Sequence, residues 1–339
     1  MANFNTMLVP PQVALPGRAA WLRTDPRQWQ PGTLDRDGLH AAAAELATHP
    51  GHVEAARSLA THLLAFLDEV PVAKRVVHDT PIYLLLVFCM VLHARRDPAK
   101  PASGITLKAL RTLFASRGAG RSFAGDSHIR DMLAWARLRG LLQYVQAATG
   151  ASADKRVRPL EPTPLLVGLF QHWARAFLRG CAPALVPALP PEPLPPPPVV
   201  YEVLCYRIDA YLHDRFVLTE RFPLIQAFML HKHGYHVFLS LMAALRPGQG
   251  EASAAISVSG LAQRFQVARG TIRNTLDLAQ QSGHLVLDGD EGVVRITPAF
   301  LDLSLGWMAM EATWMHGLTQ AAVSPRAATQ LCGGSFRTS

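Results

Sequence analysis

Arg269, Thr271, Arg273, Asn274 and Asp277 share a short stretch with Ile272, Leu276 and Ala279. The apolar residues recur at helical spacing, so they form one stripe of a helix and leave the polar set on the opposite face. That polar set has the chemistry to read base edges. The arginine fork matches O6 and N7 of guanine, asparagine matches N6 and N7 of adenine, and threonine or the nearby Gln266 can bond a phosphate or a base edge. A second stretch, HIRDMLAWARLRG, repeats the pattern around Ile129, with Ser127, His128, Arg130 and Arg137 as the outward candidates.

The elements that hold these residues follow from the flanking sequence. Val258, Leu261, Ala262 and Phe265 keep helical spacing, a turn is expected at Gln266 to Arg269, and the period resumes through Ile272. Gly283 stands where a helix needs a left-handed cap, and HLVLDGDEGVVRIT alternates as two strands about a tight turn, with Arg295 on the return strand. The same order begins at Ile105. Leu110 and Phe114 correspond to Leu261 and Phe265. Ile129, Arg130, Leu133, Ala136, Gly140 and Leu142 correspond to Ile272, Arg273, Leu276, Ala279, Gly283 and Leu285. Each copy ends in a Thr-Pro pair, Thr163–Pro164 and Thr297–Pro298. The first copy is longer between its two helices and between its strands, where a shared core tolerates insertion.

The copies differ in charge. Ten basic residues stand against four acidic ones from Ile105 to Pro164, and four against four from Ile256 to Pro298. Lys155, Arg156 and Arg158 in the long hairpin of the first copy are expected to follow a phosphate backbone or enter a minor groove, and Arg117 and Arg121 in its inter-helix loop to contact phosphate. The whole chain of 339 residues carries a formal charge of +8, which favours polyanionic partners.

Residues 1–60 read as an extension with one or two helices broken near Pro50, 61–181 and 201–323 as two domains, and 324–339 as a disordered tail. The Pro-rich segment 182–200 is expected to be a stiff, extended connector with no helix. The apolar run Ile82 to Leu92 is too short to span a bilayer as a helix and is expected to be a buried one. Four scattered cysteines without a CxxC pair suggest a reduced, cytoplasmic setting.

The arginine two residues into the helix, the apolar triplet, the capping glycine and the return strand resemble the DNA-binding modules of GntR-type and MarR-type transcription regulators. The resemblance implies a mainly α (α+β) fold of two winged helix-turn-helix modules with flanking packing helices, arranged as a pseudo-two-fold, single-chain counterpart of a regulator dimer. It singles out Arg273, and Arg130 by correspondence, as DNA contacts. It also implies a small-molecule effector pocket, with Tyr83, Phe88, Trp135, Phe228 and Tyr235 as aromatic candidates, and leaves self-association of further copies open. The expected partner is double-stranded DNA, the expected function transcription regulation. A plasmid or phage replication initiator and a protein-docking scaffold are the alternatives. No HExxH, GxSxG or paired-acid motif points to an enzyme, and no cofactor is expected. His231, His233 and His236 lack a carboxylate or cysteine nearby in sequence to complete a metal set, so no metal site is expected.

Overall fold

The computed structural model describes residues 21–23, 25–77, 79–97, 103–115, 124–145, 159–186, 188–231, 233–246, 252–288 and 293–324. Among them the chain is mainly helical, with a few small antiparallel strands. Helix α1 (Arg36–Thr48) starts at Asp35, whose carboxylate accepts from the Gly38 amide at 3.2 Å, and gives way at Pro50 to α2 (His52–Glu69). The expected break near Pro50 is where it was read.

The helices α3 (Pro71–Val77) and α4 (Thr80–Ala94) follow. Asp79 caps α4 by accepting from the Ile82 amide, and a proline occupies its first turn, where no amide is needed. Leu85 through Val91 are buried, as expected of this run. Among the described residues no single helix is long and apolar enough to cross a membrane.

Next come α5 (Leu107–Ala115), α6 (Asp126–Leu138), the strands β1 (Leu142–Tyr144) and β2 (Leu160–Pro162), and α7 (Pro164–Cys181). Strand β1 pairs antiparallel with β2, and Ile105 bridges Leu160 on the other side of β2. After the Pro-rich segment, α8 (Pro197–Asp214), α9 (Pro223–Leu230) and α10 (Gly234–Ala243) lead to β3 (Leu245–Arg246) and β4 (Ala252–Ala255). Then α11 (Val258–Phe265), α12 (Arg269–Gln281), β5 (Leu285–Asp288), β6 (Val293–Ile296) and α13 (Pro298–Val323) complete the order. The second sheet runs β3-β4-β6-β5.

Residues 52–181 and 197–323 therefore pass through nearly one succession: three helices, an extended stretch that pairs with the return strand (Ile105 in the first half, β4 preceded by β3 in the second), two helices, two paired strands and a closing helix. The hydrogen bonds at the joints recur as well. Gly140 and Gly283 both have positive φ, 69° and 71°. The next amides, Leu141 and His284, donate to Ala136 and Ala279, each at 2.9 Å. The Thr163 and Thr297 amides donate to the carbonyls of Leu141 and His284, and both threonine hydroxyls cap the following helix.

Packing between the halves is reciprocal. Helix α2 of the first half lies on α10 of the second, and α8 of the second lies on α4 of the first. Likewise α7 touches α8, α13 touches α2, and α7 meets α13. Helix α1 lies along α13, and one continuous core runs through the whole described chain. Helix α2 is unbroken through residues 60 and 61, because Ala56, Leu59, Ala60, Leu63, Leu64 and Leu67 bury one continuous face across that position.

The Pro-rich segment departs from expectation in two ways. Its last residues, from Pro197, already belong to α8, because a proline's fixed φ and missing amide suit a first helical turn. The preceding part lies against α7. Gln171 donates to the Pro195 carbonyl at 2.7 Å, Arg175 and Arg179 reach Glu192, and Ala184 and Leu185 are buried. It is a strap held by side chains, not a free spacer. The expected tail after Ser324 lies outside the described residues.

Candidate nucleic-acid interface

Helices α6 and α12 are the same length, and each sits against the helix before it with one apolar face. On α6 the buried residues are Ile129, Met132 and Ala136; on α12 they are Ile272, Thr275, Leu276 and Ala279. The opposite face of each is open to solvent. Ser127, His128, Arg130 and Arg137 are exposed on the first, and Arg269, Arg273 and Asn274 on the second. Thr271 is half-buried, and its carbonyl accepts the Thr275 hydroxyl.

The two outward arginines differ in their surroundings. Arg130 makes no ion pair among the described residues. Arg273 donates from Nε to Asp277 at 3.0 Å, one turn further along the same exposed face. A surface pair at this spacing contributes about 0.3–0.5 kcal/mol, which one good contact to a polyanion exceeds. Arg137 lies over the Tyr144 ring, 4.1 Å from its centroid, so its stem is steered towards the β1–β2 hairpin.

The turn between α11 and α12 is tight because Gln266 takes a left-handed conformation, φ 56°, and its amide donates back to Ala262 and Gln263. Its side chain is exposed beside Arg269. A shallow depression at this corner is lined by Ser257, Ser259, Gln263, Gln266 and Arg269. The sequence reading missed the serines, although Ser257 is a helix-capping residue whose hydroxyl accepts from the Gly260 amide at 3.2 Å. Thr106 does the same for Ala109 in the first half, at 3.1 Å.

Arg295 is exposed on β6, across from Ser253 on β4 and Val286 on β5. Arg117, Arg121, Lys155, Arg156 and Arg158, the basic loop residues, lie outside the described residues, as does the expected turn between β5 and β6. Three further cations are structural. Arg111 pairs with Asp126 and ties α5 to the start of α6. Arg264 on α11 pairs with Asp68 on α2 at 2.7 Å, and Lys74 joins the same carboxylate at 2.8 Å. Partial burial pushes the Asp68 carboxyl up, but hydrogen bonds from Lys74 and Arg264 outweigh it and hold it below the ordinary carboxylate value.

Of the aromatic residues expected around an effector pocket, Tyr83, Phe88 and Tyr235 line one cavity between the halves. Trp135 and Phe228 do not. Trp135 is half-buried on α6, and Phe228 packs in the core against Phe238 and Phe300. The His233 and His236 rings face each other with centroids 5.4 Å apart, while His231 is exposed at the end of α9. No group of three potential metal ligands comes together among the described residues. Comparison of the chain with protein-family models, with curated proteins and with solved structures found no match.

Proposed function

We propose that the chain is a sequence-specific double-stranded DNA-binding protein, a transcription regulator in which two winged helix-turn-helix modules are joined as a single-chain pseudo-dimer. The observation that carries this reading is the pair α6 and α12. Both are surface helices of one length on one type of support, with Arg130 and Arg273 exposed at matching positions. Strands β5 and β6 are the second module's wing, and β1 and β2 the first's. The reciprocal packing of α2 on α10 and α8 on α4 is that of a two-fold interface built within one chain. Each arginine would enter a major groove, with the capped N-termini of α5 and α11 facing the flanking phosphates.

The halves do not contribute equally. The stretch Ile105 to Pro164 has the excess of basic residues, and its Arg130 makes no ion pair among the described residues; Ile256 to Pro298 is neutral overall, and its Arg273 must first leave Asp277. That asymmetry also favours a second reading for residues 197–323 alone, as a surface that docks protein.

The test is a titration with genomic duplex fragments at two salt concentrations, using the wild-type chain, Arg130→Ala and Arg273→Ala. Steep salt dependence is expected, with affinity for a selected site reduced by about 1–3 kcal/mol in each variant and the helical circular dichroism unchanged. Salt-independent binding, or full affinity in both variants, rejects the assignment. Loss confined to Arg130→Ala assigns the second half to protein contacts.

A further inference from the structure

Between the two halves lies a cavity of about 300 Å³ bounded by α2, α4 and α7 on one side and α8, α10 and α13 on the other. Its walls are aromatic, with Trp173 from the first half and Trp307 and Trp314 from the second among them. Its polar groups are the hydroxyls of Tyr83, Tyr211 and Tyr235, the side chains of Thr80, Thr219 and Gln226, and the ion pair of Arg207 Nη1 with Glu311 Oε1 at 3.2 Å. Among the described residues neither the Tyr83 nor the Tyr235 hydroxyl makes a hydrogen bond, and both half-buried side chains border the cavity. A phenol at the wall of a mostly apolar cavity is placed to bond a polar atom of an occupant.

We propose that this cavity is a binding site for a neutral, planar, largely apolar molecule that carries one hydrogen-bonding group, with Tyr83 and Tyr235 as its polar contacts. Three features set that class. The volume is at the lower end for small-molecule sites and equals about ten water volumes, room for one or two fused rings. The indole and phenyl walls favour a flat ring over a branched aliphatic. Arg207 and Glu311 already neutralise each other, so a charged ligand would be buried opposite a like charge or would have to break the pair. The cavity draws on both halves, so its occupant touches α4 and α10 together.

The inference does not rest on the nucleic-acid reading, and its experiment contains no DNA. The full chain is titrated calorimetrically with 1-naphthol and with 1-naphthoate at pH 7.5. One-to-one binding of 1-naphthol is expected, with Kd on the order of 10–100 µM, and at least about ten-fold weaker binding of the anion. The double variant Tyr83→Phe, Tyr235→Phe is expected to bind 1-naphthol about five- to ten-fold more weakly. Leu84→Trp, which fills the cavity from α4, is expected to abolish binding, with cooperative melting checked for each variant. Absence of saturable binding to the wild-type chain, equal binding of the two probes, or binding that survives in a folded Leu84→Trp chain overturns the proposal.

Discussion

The Arg207–Glu311 pair offers a direct test of how the junction is held, because its two members respond oppositely to single and double replacement. The partners are 104 residues apart in sequence and join α8 to α13. Arg207 also lies 5.6 Å from the centroid of Trp173 on α7 and contacts the Met315 sulfur at 2.9 Å. Their side chains are only 20% and 9% exposed, so both charges have lost most of their water. At 3.2 Å their attraction is about 5 kcal/mol at an effective dielectric constant of about 20. Desolvation costs several kcal/mol per ion. The two nearly cancel, so the intact pair adds little net stability.

Removing one member ends that cancellation. Glu311→Gln leaves the guanidinium buried against Trp173 and the tyrosines without a counter-charge, at a cost of about 3–5 kcal/mol. That is a large share of the roughly 5–15 kcal/mol that holds a domain folded. Arg207→Met is expected to cost a similar amount, while Arg207→Met with Glu311→Met removes both charges and is expected within about 1 kcal/mol of wild type. The assay is urea unfolding at pH 7.5, followed by circular dichroism and by tryptophan fluorescence, with coincident transitions as the check on two-state behaviour. A Glu311→Gln cost under about 1 kcal/mol would mean that water reaches the pair. A double variant as unstable as either single one would mean that packing, not charge, is what each side chain supplies.

Two more outcomes follow from the packing. Gly180 on α7 meets α2 so closely that an added Cβ would lie 2.4 Å from the Leu59 Cα, whereas Gly168 on the same helix has nothing within 4 Å. Gly180→Ala is therefore expected to destabilise by about 1–3 kcal/mol and Gly168→Ala to stabilise by up to about 1 kcal/mol; urea midpoints of the two variants check the contrast. Burial pushes the His316 imidazole down to about 4, so between pH 6.5 and about 4 the unfolded chain takes up a proton that the folded chain refuses. Its contribution is intact above pH 6.5 and declines by about 3 kcal/mol as pH falls to about 4; in His316→Met, stability measured from pH 7.5 to 4 should fall less steeply.

Local features were legible in the sequence because their causes lie within a few residues. The spacing of Ile272, Leu276 and Ala279 fixed which face of α12 is buried, and Gly140 and Gly283 marked left-handed turns that most other residues resist. Thr163 and Thr297, the Thr-Pro pairs that close each copy, stand as caps at helix starts in the structure. Two buried positions escaped, Met132 and Thr275, one residue before Leu133 and Leu276. They widen the apolar stripe, and Thr275 is hidden from composition because its hydroxyl is satisfied one turn back by the Thr271 carbonyl.

What could not be read was how the halves meet. No periodicity tells α2 to choose both α7 and α10, since α2 and α7 carry apolar stripes and α10 is buried nearly all round, surfaces that would satisfy many partners. The choice lies in particular close approaches such as Gly180 over Leu59, and in pairs of distant residues such as Arg95 with Asp209 and Arg264 with Asp68. These last two cross between the halves in opposite senses, from α4's end to α8 and from α11 to α2's end. A junction assembled from reciprocal contacts resists rotation of one half on the other only while both sets hold. Breaking Arg264–Asp68 by Arg264→Ala should therefore loosen the junction without unfolding α11, whose apolar face of Leu261, Ala262 and Phe265 is untouched. Hydrogen exchange would report this as faster exchange at α2 and α10, with α11 and α12 protected as before. Equal loss of protection across all four helices would show instead that the second half has no stability apart from its seat on the first.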